Sequence, residues 1–202
     1  KSYKSFVATV EMQETKLGKK RDLTNAVARN LFKLMSYKDE YEVARLYTNG
    51  EFEKQIAETF DGNFTINYHL APPIFNGGKK PNGRPKKRMF GPWMMKSFKL
   101  LAGFKHLRGS KLDIFGYSAE RKMERKLISD YKVLINRIFS KLNSENYQFA
   151  ISLAQLPNEI RGFGPVKEAA FKKAKEQETL LLSHFENPTQ AKEKEVTPEP
   201  AE

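Results

Sequence analysis

Between Ser118 and Leu142 the apolar residues Met123, Leu127, Tyr131, Leu134, Ile135, Ile138 and Leu142 recur every three or four positions. An α-helix has about 3.6 residues per turn, so this spacing puts them all on one face. A stripe that long must be buried against other elements, which makes a helical core the expected centre of the fold. Ser118 is the expected N-cap, because a serine oxygen can accept an unpaired N–H of the first turn.

Shorter stripes precede it. Tyr3, Phe6, Val7 and Val10 fall at helical spacing, and Gly18 is a stop signal before the basic loop Lys16 to Arg21. Thr24 is read as the N-cap of a second helix carrying Val27, Leu31, Leu34 and Met35. Asp39 either caps a further piece or lies within one continuous helix; there Tyr41, Ala44 and Tyr47 share a face, and Asn49-Gly50 ends it. Glu51 to Phe60 predicts a short helix broken by Asp61-Gly62.

The period then changes. Phe64, Ile66, Tyr68 and Leu70 alternate with polar residues, which predicts a strand ended by Ala71-Pro72-Pro73. Asn76 to Pro85 reads as an exposed loop, and Lys86 to Phe90 as a return strand closing a hairpin. Pro92 suits the first turn of a helix to about Phe104, with Phe90, Trp93, Met94, Met95 and Phe98 read as core and an interface patch as the alternative. Another helix starts at Asn143 or Ser144 and ends before Pro157, and Pro165 opens the last one, through about Phe185. The expected fold is mainly α: a multi-helix, bundle-like domain over 1–186 with one small β-hairpin near the middle. Residues 187–202 are polar and expected to form a disordered tail.

Composition narrows the function classes. Cysteine is absent, which excludes disulfides and thiolate-bound zinc or iron–sulfur clusters within this chain. His69, His106 and His184 lack any close ligand spacing, so no metal site is assigned. No apolar run of about 18 residues exists, so no membrane span is expected. The net charge is +12, a balance that attracts anions without choosing among them. A chain opening on Lys1 reads as a piece of a longer polypeptide.

Four candidate sites stand out. Lys38, Asp39, Glu42 and Arg45 crowd one or two helical turns, with Glu42 in reach of Arg45 and Lys38 in reach of Glu42. They form a polar network or an ordinary charged helix start. His69 is a proton carrier or a structural histidine. Lys79, Lys80, Arg84, Lys86, Lys87 and Arg88 form a basic run without interleaved aromatics. Arg108-Gly109 and Arg161-Gly162-Phe163-Gly164 combine a guanidinium fork with glycines whose backbone can turn N–H groups toward an anion or a partner surface. Gly turns between helices use the same residues.

Five ordered blocks carry a resemblance: KDEYEVARLY (Lys38 to Tyr47), HLAPP (His69 to Pro73), RPKKRMFGPWM (Arg84 to Met94), LRGSKLDIFGYSAERKMER (Leu107 to Arg125) and IRGFGPVK (Ile160 to Lys167). Together, from about Asp22 to Lys167, they resemble the C-terminal region of the fused, single-chain bacterial indolepyruvate ferredoxin oxidoreductases. The sequence departs from that pattern at Pro165, where the family more often has histidine. The resemblance implies a parent enzyme that oxidatively decarboxylates aryl-pyruvates to aryl-acetyl-CoA and passes electrons to ferredoxin, using thiamine diphosphate, Mg and 4Fe-4S clusters. It implies that this chain is a cytoplasmic accessory domain without catalytic residues of its own, acting in assembly, active-site covering or partner docking. Its implied partners are the other domains of the same polypeptide, a second parent copy, and coenzyme A or ferredoxin. An independent basic module that binds nucleic acid is the alternative, and a free-standing hydrolase or transferase a third reading.

Overall fold

Turn and cap residues cut the chain where the apolar period breaks. The computed structural model describes residues 2–71, 78, 86–162 and 165–189. Eight helices and one hairpin lie among them: α1 (Ser2–Lys16), α2 (Asp22–Met35), α3 (Glu40–Thr48), α4 (Glu51–Thr59), β1 (Tyr68–Leu70), β2 (Arg88–Phe90), α5 (Met94–Gly103), α6 (Ala119–Lys141), α7 (Tyr147–Gln155) and α8 (Pro165–Glu186). The fold is therefore mainly helical with one small hairpin near its middle, as the periodicity predicts. The chain divides into two compact units, one of residues 1–36 with 125–202 and one of residues 37–124.

In the first unit α2 packs on α1 and α7, and α7 packs on α8. The long stripe of α6 does what its spacing demands: Leu127, Tyr131, Leu134, Ile135 and Ile138 are buried there with Val10, Val27, Leu31, Leu153 and Phe185. Each such side chain contributes about 1.5–3 kcal/mol by leaving water. Tyr131 also donates its hydroxyl to the Ala154 carbonyl at 2.8 Å.

The start of α2 differs from expectation. The helix begins at Asp22, and Thr24 lies buried in its first turn instead of capping it. The cap comes from another helix. Glu14 of α1, 1% exposed, accepts hydrogen bonds from the backbone N–H groups of Leu23 (2.8 Å) and Thr24 (2.9 Å). It also accepts from the hydroxyls of Thr24 and Tyr147. A carboxylate there satisfies two of the helix's orphan donors and meets the positive end of its dipole.

The second unit has an aromatic centre. The Tyr47 ring stacks on Phe98 at 4.9 Å and meets Phe52 and Tyr68 edge-on at 4.9 and 5.4 Å. Buried Ala44, Met94 and Phe98 complete this small core, with Ile66, Leu70, Phe90 and Met95 packed against it. The strands pair antiparallel, Tyr68 with Phe90, His69 with Met89 and Leu70 with Arg88. The alternating run begins at Phe64, but pairing starts only at Tyr68, because β2 offers three residues. Trp93, assigned to the core from sequence, is 58% exposed. It precedes the first turn of α5, whose inward face is carried by Met94 and Phe98. Most of the Asn76 to Pro85 loop and residues 190–202 lie outside the described residues.

Candidate functional site

The N-terminus of α3 organises the densest polar network of the second unit. Asp39 stands in extended conformation and accepts the Glu42 N–H at 2.8 Å, so it is the N-cap of a separate helix. Its other carboxylate oxygen lies 2.6 Å from Nε of Arg108. Arg108 also donates to the Tyr37 carbonyl at 3.3 Å and lies 4.4 Å from the centre of the Tyr37 ring. One residue on, Glu40 pairs with Arg121 of α6 at 3.3 Å, and Arg121 turns back to Glu124 at 2.5 Å. Burial opposes the charge of Arg121, but the hydrogen bonds and charges of Glu124 and Glu40 outweigh it and hold the guanidinium above its ordinary pKa.

The segment before α6 is tied down by one side chain. Asp113, 5% exposed, accepts from the N–H of Gly109 at 2.8 Å and of Gly116 at 2.9 Å. Gly109 holds φ +76°, a conformation that favours glycine. At Gly116 an added Cβ would lie 2.5 Å from the Asp113 carboxylate. Tyr41 reaches the same aspartate, and burial together with Asp113 raises its phenol pKa. Ser118 then accepts the Arg121 N–H at 3.3 Å, as the cap signal predicts.

Beside this network is a cavity of about 510 Å³. Its apolar walls include Val43, Leu70, Phe98, Leu101 and Phe115, with Trp93 also lining it. Asp39, Glu40, Glu120 and Arg121 line its polar part.

The sequence candidates distribute as follows. Asp39 joins the network just described. Glu42 and Arg45 form a bidentate pair at 2.9 and 2.7 Å. The hydrogen bond from Arg45 holds the Glu42 carboxyl below its usual range, while Lys38 is exposed and acts on it only through its charge. His69 stands exposed in β1 opposite Met89. Lys86, Lys87 and Arg88 are exposed, while Lys79, Lys80 and Arg84 lie outside the described residues. Arg108 and Arg161 fall in different units. Arg161 is exposed and donates to the Asn158 carbonyl at 2.7 Å. Gly162 has φ +92° and faces the side chain of Val166, and Gly164 lies outside the described residues. Near Arg161, Lys33 donates to the Pro157 carbonyl at 2.6 Å. Burial first, then the charge of Arg161, lowers its pKa.

Sequence reasoning passes over Arg121, Glu124 and Asp113. Arg121 and Glu124 do carry a signal, since residues three apart share a helix face. Asp113 carries none beyond its place in a Gly-rich segment. Among the described residues no group of three histidines or carboxylates is placed to hold a metal ion. No helix among them is long and apolar enough to cross a membrane.

A family model places the chain. It belongs to the family described as "Family of unknown function (DUF6537)", whose model matches residues 1–179. No curated protein and no solved structure matches it.

Proposed function

We propose that this chain is an accessory C-terminal domain of a fused indolepyruvate ferredoxin oxidoreductase, acting in assembly, active-site covering or docking of a neighbouring domain. The five ordered blocks carry the reading. Two of them, Lys38 to Tyr47 and Leu107 to Arg125, meet through the Asp39–Arg108 and Glu40–Arg121 pairs. These pairs tie together the start of α3, the segment before α6 and the first turn of α6. A support role is what such a network does chemically: it fixes a surface and moves no bond.

The surface of the same unit favours docking. Trp93, Leu100, Leu112, Ile114 and Tyr117 are each at least 58% exposed. Where such side chains form a contiguous exposed patch they mark a contact surface. The thiolate ligands of a 4Fe-4S cluster must come from elsewhere in the parent, since this chain has no cysteine. The described residues likewise offer no carboxylate cluster for the metal that accompanies thiamine diphosphate. Coenzyme A or ferredoxin would then meet this domain by contact, and a cytoplasmic setting follows from that parent. The basic excess also favours a second reading, a nucleic-acid-binding module, for which steeply salt-dependent binding to random duplex is the signature.

The test is the full coding frame, followed by deletion. An upstream cysteine-rich region and a diphosphate-binding region are expected in the same frame. Deleting this module should impair assembly or turnover of the parent, and supplying it in trans should restore part of the loss. A frame lacking both regions overturns the reading.

A further inference from the structure

The cavity beside the α3 network has a composition that selects its occupant. Its volume of about 510 Å³ lies within the range of roughly 300–1,000 Å³ found for small-molecule sites. Most of the wall is apolar, so the body of a ligand must be aromatic or aliphatic. The polar end is electrically lopsided. Three carboxylates, Asp39, Glu40 and Glu120, line it with one guanidinium, Arg121, while Arg108 pairs with Asp39 and Glu124 with Arg121. Both guanidiniums are engaged: Arg108 by Asp39, Arg121 by Glu40 and Glu124. Glu120, half-buried in the first turn of α6, has no hydrogen-bond or ion-pair partner among the described residues. An acid entering this end would find no uncommitted cation among the described residues of the wall, and it would meet an excess of negative charge there. A cation would complete the set. Low-dielectric walls strengthen that preference, because they screen the carboxylates less than water does. In a chain of net charge +12 the local negative excess is the opposite of what composition predicts.

We propose that this cavity binds a small organic cation, with an aromatic or aliphatic body against Phe98, Leu101, Phe115 and Trp93 and an ammonium or guanidinium end against Glu120 and Glu40. The site is distinct from the oxidoreductase reading and stands or falls without it.

Trp93 makes the test direct, since it is the chain's sole tryptophan and lines the cavity. Its fluorescence is titrated with 2-phenylethylamine, 2-phenylethanol and 3-phenylpropanoate at neutral pH. The expected result is a saturable change with the amine, about tenfold weaker binding of the alcohol, and no saturation with the acid. Glu120→Gln should bring the amine down to the affinity of the alcohol while Tm and circular dichroism stay unchanged. Ser97→Phe, placing bulk at an exposed lining position, should abolish binding of both. No saturable response to the amine in the millimolar range overturns the proposal. So does binding of the acid as tight as that of the amine, or a folded Glu120→Gln variant with unchanged amine affinity.

Discussion

Replacing Glu14 by alanine removes the acceptor of four donors at once: the N–H groups of Leu23 and Thr24 and the hydroxyls of Thr24 and Tyr147. The hydroxyls can adapt. Tyr147 already lies 3.0 Å from the Lys20 carbonyl, and a threonine hydroxyl rotates. The two backbone amides cannot, because α2 fixes their direction. A buried donor left unsatisfied costs about 1–3 kcal/mol. Loss of a carboxylate at a helix N-terminus adds about 0.3–1 kcal/mol. Together the expected loss is about 2–7 kcal/mol, a large share of the roughly 5–15 kcal/mol that holds a domain folded. Urea unfolding followed by circular dichroism measures it as a shift in midpoint at constant slope. Glu14→Gln keeps one acceptor oxygen but turns an amide donor toward other donors, so an intermediate loss is expected. A loss below about 1 kcal/mol in Glu14→Ala, with the slope unchanged, would falsify the capping role, since water would then be replacing the carboxylate without cost.

Burial holds the phenols of Tyr131 and Tyr147 above their usual pKa, and for Tyr147 the hydrogen bond to Glu14 adds to it. The unfolded chain releases these protons near pH 10, and the folded chain keeps them. The folded state therefore binds more protons above pH 10, and stability falls by up to about 1.4 kcal/mol per pH unit for each tyrosine. Unfolding midpoints that hold level from pH 10 to 12 contradict this, and Tyr131→Phe with Tyr147→Phe should flatten the decline. Gly162→Ala forces a side chain into φ +92° and sets its Cβ 2.8 Å from Val166. A cost of about 1–2 kcal/mol is expected, read as a drop in Tm that Val166→Ala relieves only in part; an unchanged Tm rules out the strain. Asp113→Ala frees the amide of Gly109 and leaves that of Gly116 the Asp113 backbone carbonyl at 3.0 Å. Hydrogen exchange at Gly109 should accelerate by tenfold or more while that of Ile135 and Ile138 stays slow, and equal protection of Gly109 in variant and parent chain would show that Asp113 does not hold the loop.

What the sequence makes legible is what short range decides. The α6 stripe predicts its helix and its buried face because periodicity is local. The caps at Asp39 and Ser118 are readable for the same reason. Trp93 defeats that logic. It adjoins a helix whose neighbouring positions are buried, and only the packing of α5 decides that it faces outward. Thr24 fails similarly, for its cap signal is sound but Glu14 arrives from another helix and takes the role.

The network itself depends on sequence distances that no local pattern encodes. Arg121 meets Glu40 across 81 residues, and Tyr147 meets Glu14 across 133. Yet the sequence blocks Lys38 to Tyr47 and Leu107 to Arg125 contain Asp39, Glu40, Arg108, Asp113, Arg121 and Glu124, while Trp93 and Met94 close a third. Their meeting in one unit gives a physical account of why buried charged residues stand there. Asp39 and Glu124 are buried, and each needs its arginine; each arginine needs an anion once it leaves water. Removing one partner strands the other, so Asp39 with Arg108, and Glu40 and Glu124 with Arg121, should each lose stability non-additively when changed together. Glu120 stands outside that mutual dependence: it is half-buried and lines the cavity without a hydrogen-bond or ion-pair partner among the described residues, so its replacement tests the cavity without breaking the network.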